Sequence, residues 1–295
     1  MIKKLTFKIL WHISWNLGYL LQDKKINPIR NFGNDPRELP YLNNLPHTIL
    51  SLPVSKANGL RFYRLTGNTY HPFVLALKAP LDGKINEHVF SVLKKYSDTV
   101  NLRTANDYLG LGKGEEVFPN ANHPYEYCYP WCPSQPDNTR DFLINDIRNE
   151  NRRYGFLSDE SLDLPHVSAR KISIEAKRLR KLVVSIQQRG FIQQIDDVVG
   201  GFVLVDGDRW RWYVQGGQHR AAVMAALGYK DIPVCIRKVI RREDVNFWPN
   251  VQTGIYTPQQ ALTVFDRLFR SAPPPVAQEW VEYVNQTFGY TTTEK

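Results

Sequence analysis

The chain has 295 residues, of which 42% are hydrophobic and 12% aromatic, and carries a formal net charge of +9. That length and composition mark a globular protein with core enough for one large domain or two smaller ones. Three cysteines without a disulfide pattern exclude a disulfide-stapled secreted scaffold and point to a reducing compartment. The positive charge suggests an anionic partner, whether nucleic acid, nucleotide or an anionic membrane surface, or else a basic protein with no such partner.

Residues 1–22 place three lysines before a short apolar stretch with Trp11 and Trp15. The run is too short and too interrupted by His12, Ser14 and Asn16 to span a bilayer, and no small-residue cleavage site follows. It reads either as a helix packed on the domain or as an amphipathic helix on a membrane surface. Residues 23–58 carry five prolines and read as an extended, surface-tracking segment. Leu60–Leu65 and Pro72–Leu77, divided by a Gly67-Asn68 turn, read as a hairpin. Ile85–Tyr96 has helical spacing at Val89, Val92, Leu93 and Tyr96.

Residues 105–140 are rich in loop formers. LGLGKGEE at 109–116 resembles a phosphate-binding glycine loop in outline, but it lacks a GK[ST] ending and a preceding strand, so it reads as a turn. Cys128 and Cys132 lie near His123 without a complete ligand set for a metal. Asp141–Tyr154 has mixed helical spacing. Ser173–Gly190 is the strongest helix, apolar at Leu179, Leu182, Val183 and Ile186, with Glu175, Lys177, Arg178, Arg180 and Lys181 around the rest. Gly190 is its candidate C-terminal cap. A hairpin is expected from Phe202–Val205 and Trp210–Val214 across Asp206-Gly207-Asp208-Arg209.

The second of those strands leads into Gly216-Gly217-Gln218-His219-Arg220, an Ala-rich run ending at Leu227-Gly228, and a strand at Ile232-Pro233-Val234. Two glycines allow a positive φ and a close backbone approach to a ligand. A helix starting there aims amide N–H groups back at the turn, which suits an anion. Arg220 adds a guanidinium fork for phosphate or for a carboxylate. His219 is a phosphate donor, a general acid or base, or a structural histidine, and Gln218 could orient a phosphate or a water. Beyond this core, Pro258–Phe269 reads as an amphipathic helix capped by Thr257, and Val276–Phe288 as a last helix.

The Gly-Gly-Gln-His-Arg turn, its Ala-rich helix, Leu227-Gly228-Tyr229, Ile232-Pro233-Val234 and the upstream helix Leu179–Gly190 resemble the ParB/sulfiredoxin superfamily. A longer likeness, to ParB-like proteins found with bacterial surface-polysaccharide genes, rests on Tyr154-Gly155, Trp248-Pro249-Asn250-Val251, Gly254-Ile255-Tyr256 and the Ala261–Asp266 run. The resemblance implies an α/β (α+β) core at 151–240, an N-terminal elaboration at 1–150 and a helical extension at 241–295. It also implies a nucleotide pocket at Gly216, Gly217, Gln218, His219 and Arg220, taking ATP, ADP or CTP. Sulfiredoxin chemistry needs a cysteine where Gln218 stands and is rejected. The Pro-His-Glu arrangement of free-serine kinases is broken at Val167, and no helix-turn-helix is evident after Asp244.

The function expected is an ATP-dependent phosphotransferase acting on a small or sugar-like acceptor. Glu175 or His219 would be its base, and Glu175 a ligand to Mg²⁺, with Asp196 and Asp197 as alternatives. The other expectations are a nucleic-acid-binding or nuclease protein, using basic surface at Arg170–Arg189 and Arg237–Arg242, and a nucleotide-gated scaffold without catalysis. The expected location is the cytoplasm, with the inner membrane face as a peripheral option through residues 1–22.

Overall fold

A six-stranded mixed sheet organises the computed structural model, which describes residues 35–41, 49–78, 85–162, 164–190 and 199–290. Its centre is the hairpin of β4 (Val199–Asp206) and β5 (Arg209–Gly216), closed by Gly207 at φ 56°. Side chains alternate as a strand requires. Trp210, Trp212 and Val214 enter one core, whereas Tyr213, with Phe202 and Leu204 of β4, enters the other. A register shift at Gly200–Phe202 bends β4 where a Cβ on Gly201 would lie 2.5 Å from the Tyr213 carbonyl oxygen, so only glycine fits there. β6 (Asp231–Arg241) runs parallel to β4 on its other side.

The N-terminal part of the chain completes both flanks of this sheet. β1 (Ile49–Pro53) pairs antiparallel with β6, and β2 (Ala57–Gly59) pairs parallel with β5 and antiparallel with β3 (Tyr63–Arg64). The order is β1-β6-β4-β5-β2-β3. The fold is α/β, as expected. The sheet crosses the 150/151 boundary, because strands from 49–64 cover edges that the 199–241 strands would otherwise expose.

The first face carries α1 (Pro72–Ala76), α2 (Ile85–Thr99), α5 (Ala169–Arg189), α6 (Gln218–Ala226) and α9 (Gln278–Phe288). The second carries α3 (Ala105–Leu109), an aromatic loop through Tyr127 and Trp131, and α8 (Pro258–Arg270). α4 (Pro136–Arg152) and the short α7 (Pro249–Gln252) complete the helices used below. Thr257 caps α8 by accepting from the Gln260 amide at 3.2 Å.

Three expectations need correction. Pro72–Leu77 is not a strand: Pro72 opens a helix after the extended His71, and all five residues of α1 are buried. A short unbroken apolar run fits a buried strand or a buried helix equally, and the proline at the first helical position tips it to helix. Residues 49–53 form a sheet strand within what reads as a surface segment. Helices α4 and α5 start earlier than the spacing suggests, and Ser168 caps α5 by accepting from the Lys171 amide. In LGLGKGEE the chain supplies its own anions: the Gly112 amide donates to Glu115 at 2.9 Å and the Gly114 amide to Glu116 at 2.7 Å. The expectations for residues 1–22 and for Asp196 and Asp197 fall outside the described residues. Among the described residues, no helix is long and apolar enough to cross a membrane.

Candidate anion site at the start of α6

Gly217 is the N-cap of α6 at φ 78°, a left-handed conformation natural to glycine. A Cβ there would also lie 3.3 Å from the Val199 Cα, whereas one on Gly216 would meet nothing within 4 Å. The turn is thus packed against β4 at Gly217 and open at Gly216. Gly217 has no side chain to cap the helix, so the first-turn amides form a positive end suited to an anion.

Gln218 is engaged with main chain at both ends of its amide. Its Oε1 accepts from the Leu60 amide at 3.1 Å, and its Nε2 donates to the Val214 carbonyl. It therefore fastens the turn to the segment between β2 and β3. Gly59 lies at that seam: a Cβ would come 2.8 Å from the Gln218 Oε1 and 3.0 Å from the His71 Nε2. Arg220 is partly buried on the same helical turn, its Nη1 3.7 Å from where a Gly217 Cβ would stand.

His219 is the centre of the site. Its ring stacks on Phe73 with centroids 4.4 Å apart, and its Nε2 lies 2.5 Å from the Glu175 Oε2. An ionised carboxylate only accepts, so Nε2 carries the proton and Nδ1 is the remaining ring nitrogen. The sequence marks both residues, and the fold brings them together from α5 and α6.

Glu175 does not stand on the polar face of α5, as the helical spacing suggests. It is 3% exposed and faces two cations, Lys171 Nζ at 2.6 Å and Arg178 Nη1 at 3.1 Å, together with the His219 ring. Burial pushes its pKa up, but the His219 charge and hydrogen bond, with Arg178 and Lys171, outweigh that and hold the carboxyl well below its ordinary 4.5. Beyond it, Arg178 pairs with Glu150 of α4, and Lys171 donates to the Asn151 Oδ1 at 2.6 Å. Asn151 in turn donates to the Ser158 and Glu160 carbonyls at 2.8 and 3.0 Å. The network holds two carboxylates against two permanent cations before His219 is counted.

That donor set does not fit a divalent cation. Both Glu175 oxygens already face cations, and no cluster of three or more His, Cys, Asp or Glu among the described residues could hold a metal. Cys128, buried, has its thiol pushed up to about 12, first by burial and then by Cys132.

Sequence reasoning missed Lys171, Asn151 and Glu150 as parts of the network, and His71, Phe73 and Leu60 as the wall of the turn. His71 is fully buried with neither ring nitrogen partnered among the described residues, and burial, followed by the His219 charge, pushes its pKa down to about 3. The His71-Pro72 step was a legible helix start. Nothing local ties Leu60 to a residue 158 positions away.

A glycine-capped helix N terminus with an arginine on its first turn is a geometry that suits an anion. Residues 149–248 match the ParB N-terminal domain, which supports a place for this segment in the ParB-like superfamily. The match runs from the end of α4 to Trp248 and contains Glu175 and the whole turn. No curated protein and no solved structure matches the chain.

Proposed function

We propose that the chain binds a nucleotide with its phosphates at the N terminus of α6 and transfers a phosphoryl group to a small, sugar-like acceptor. The observation that carries this reading is His219, on the first turn of a glycine-capped helix that also bears Arg220, with its Nε2 2.5 Å from Glu175 of α5. Arg220 and the helix end offset phosphate charge. Glu175 orients His219, and Nδ1 takes the acceptor's hydroxyl proton. The acceptor oxygen bonds to the γ-phosphorus of ATP as the bond to the bridging oxygen breaks, leaving ADP. No step uses a metal held by Glu175. Gln218, Gly59 and Phe73 keep the turn in place. The likeness to polysaccharide-cluster proteins motivates the sugar-like acceptor.

The test is thermal stabilisation by ATP, ADP, CTP and GTP, each with and without Mg²⁺, followed by ATP consumption with a panel of sugars. One nucleotide should raise the melting temperature of the wild type and not of Arg220→Ala. His219→Asn should keep that shift and lose turnover. No shift with any nucleotide overturns the binding reading. A shift without turnover on any acceptor overturns phosphotransfer and leaves a nucleotide-gated scaffold.

A second reading is nucleic-acid binding. A groove of about 470 Å³ between α2 and α5 is lined by Phe90, Ala176, Lys177, Arg180, Lys181 and Val184, with the three cations exposed. The basic surface is narrower than the sequence suggests, because Lys171 and Arg178 turn inward to Glu175 and Arg242 pairs with Asp266 at 2.8 Å. Binding that collapses between 50 and 200 mM salt, on the order of a thousandfold for six phosphate contacts, would favour this reading.

A further inference from the structure

The second face of the sheet holds a pair of cations that no counter-charge meets among the described residues. Arg211 shares the alternation of Tyr213 on β5, so it points to the face opposite α6. Across the ladder Tyr213 pairs with Asn58, and Asn58 with Arg64, which puts Arg64 on that same face two strands away. Both arms are long enough to converge in front of Asn58. Arg211 is half-buried, and its Nη1 is closed to solvent with no hydrogen-bond partner among the described residues. Among the described residues, no carboxylate or carbonyl reaches either guanidinium.

The neighbouring cations are matched. Arg209 pairs with Asp206, Arg242 with Asp266 at 2.8 Å, and Arg37 with Asp35 at 2.5 Å. The end of α8, which faces this spot, has its Leu268 carbonyl taken by Asn58 at 2.6 Å. The Lys56 ammonium lies 3.8 Å over the Trp210 ring of the first face, and burial, helped by the nearby Arg211 charge, lowers its pKa. Burial and then the charge of Arg64 push the Arg211 pKa down, as expected of two cations brought together without an anion. An orphaned nitrogen on a partly desolvated guanidinium beside a like charge is costly, and an anion placed there would relieve the cost.

We infer that Arg211 and Arg64 form a second anion site, on the face opposite α6, that takes a phosphate oxyanion. A small rotation of the Arg211 side chain carries Nη1 from its partnerless position to the oxyanion. Exposed Arg64 closes on the anion from solvent, giving the forked contacts that guanidinium makes with phosphate. The phosphate can belong to a free polyphosphate or to a nucleic-acid backbone.

The experiment is calorimetry of the full chain carrying Arg220→Ala, which removes the α6 site and keeps this one, titrated with sodium tripolyphosphate and separately with a 20-base-pair duplex. One equivalent of either probe should bind. Adding Arg64→Gln or Arg211→Gln should weaken that binding at least about tenfold, the cost of one charge-assisted hydrogen bond. Dependence on both arginines with tripolyphosphate identifies a free anion, and with the duplex a backbone phosphate. No binding of either probe to Arg220→Ala, or binding unaffected by Arg64→Gln, overturns the site. Arg64 is exposed, so its variant decides the matter even if Arg211→Gln folds poorly.

Discussion

Replacing Glu175 by Gln tests the centre of the site most directly. The substitution keeps shape and removes the one charge that faces Lys171, Arg178 and His219 at 2.6, 3.1 and 2.5 Å. Arg178 keeps Glu150, and Lys171 keeps only the neutral Asn151 oxygen, while Lys171 itself is 2% exposed. Removing one partner from a buried charge network costs about 3–5 kcal/mol, because the remaining charge cannot return to water. At about 2–4 °C per kcal/mol for a large domain, the melting temperature should fall by roughly 6–20 °C. The acid limb should change as well. The Glu175 carboxyl is held below its ordinary 4.5, so its contribution is complete above that pH and is lost as pH falls through the folded-state value. Glu175→Gln should therefore unfold with a flatter pH dependence below about 4.5 than the wild type. Calorimetry at pH 7 with urea melts from pH 5 to 3 measures both. A melting temperature within about 2 °C of wild type, with the acid limb intact, would refute the buried network.

Three further outcomes follow from the turn and its wall. Gly217→Ala puts a Cβ in left-handed backbone and 3.3 Å from the Val199 Cα, so it should cost at least about 1–2 kcal/mol in urea unfolding and abolish any nucleotide shift. Gly59→Ala must displace the Gln218 amide and the His71 ring, and should loosen α6, read as faster amide exchange in its first turn. His71, with its pKa lowered to about 3, stays neutral in the fold while the unfolded chain takes up a proton below about 6.5. Stability should then drop about 1.4 kcal/mol per pH unit from 6.5 downward. In His71→Leu that slope should vanish between pH 6 and 5, and an unchanged slope would place its source elsewhere.

The sequence by itself determined the parts whose signals are local. The strength of α5 lies in an apolar stripe at helical spacing, and the β4–β5 hairpin in a tight turn between alternating strands. The Gly216–Gly217 turn, its helix and the Thr257 cap follow from residue types whose backbone preferences act within a few positions. Only the tertiary structure decided that 49–64 would close both flanks of the sheet, since strand pairing depends on edges set far along the chain. It also decided that Pro72–Ala76 would be a buried helix, and that Lys171, Glu175 and Arg178 would turn inward. Helical spacing places charged residues on the solvent side by default. An ion network overrides that default only when its partners arrive from elsewhere, as His219 does across 44 residues and Glu150 across 28. The meeting of Glu175 with His219 is therefore a product of the packing of α5 against α6, which no window of sequence contains.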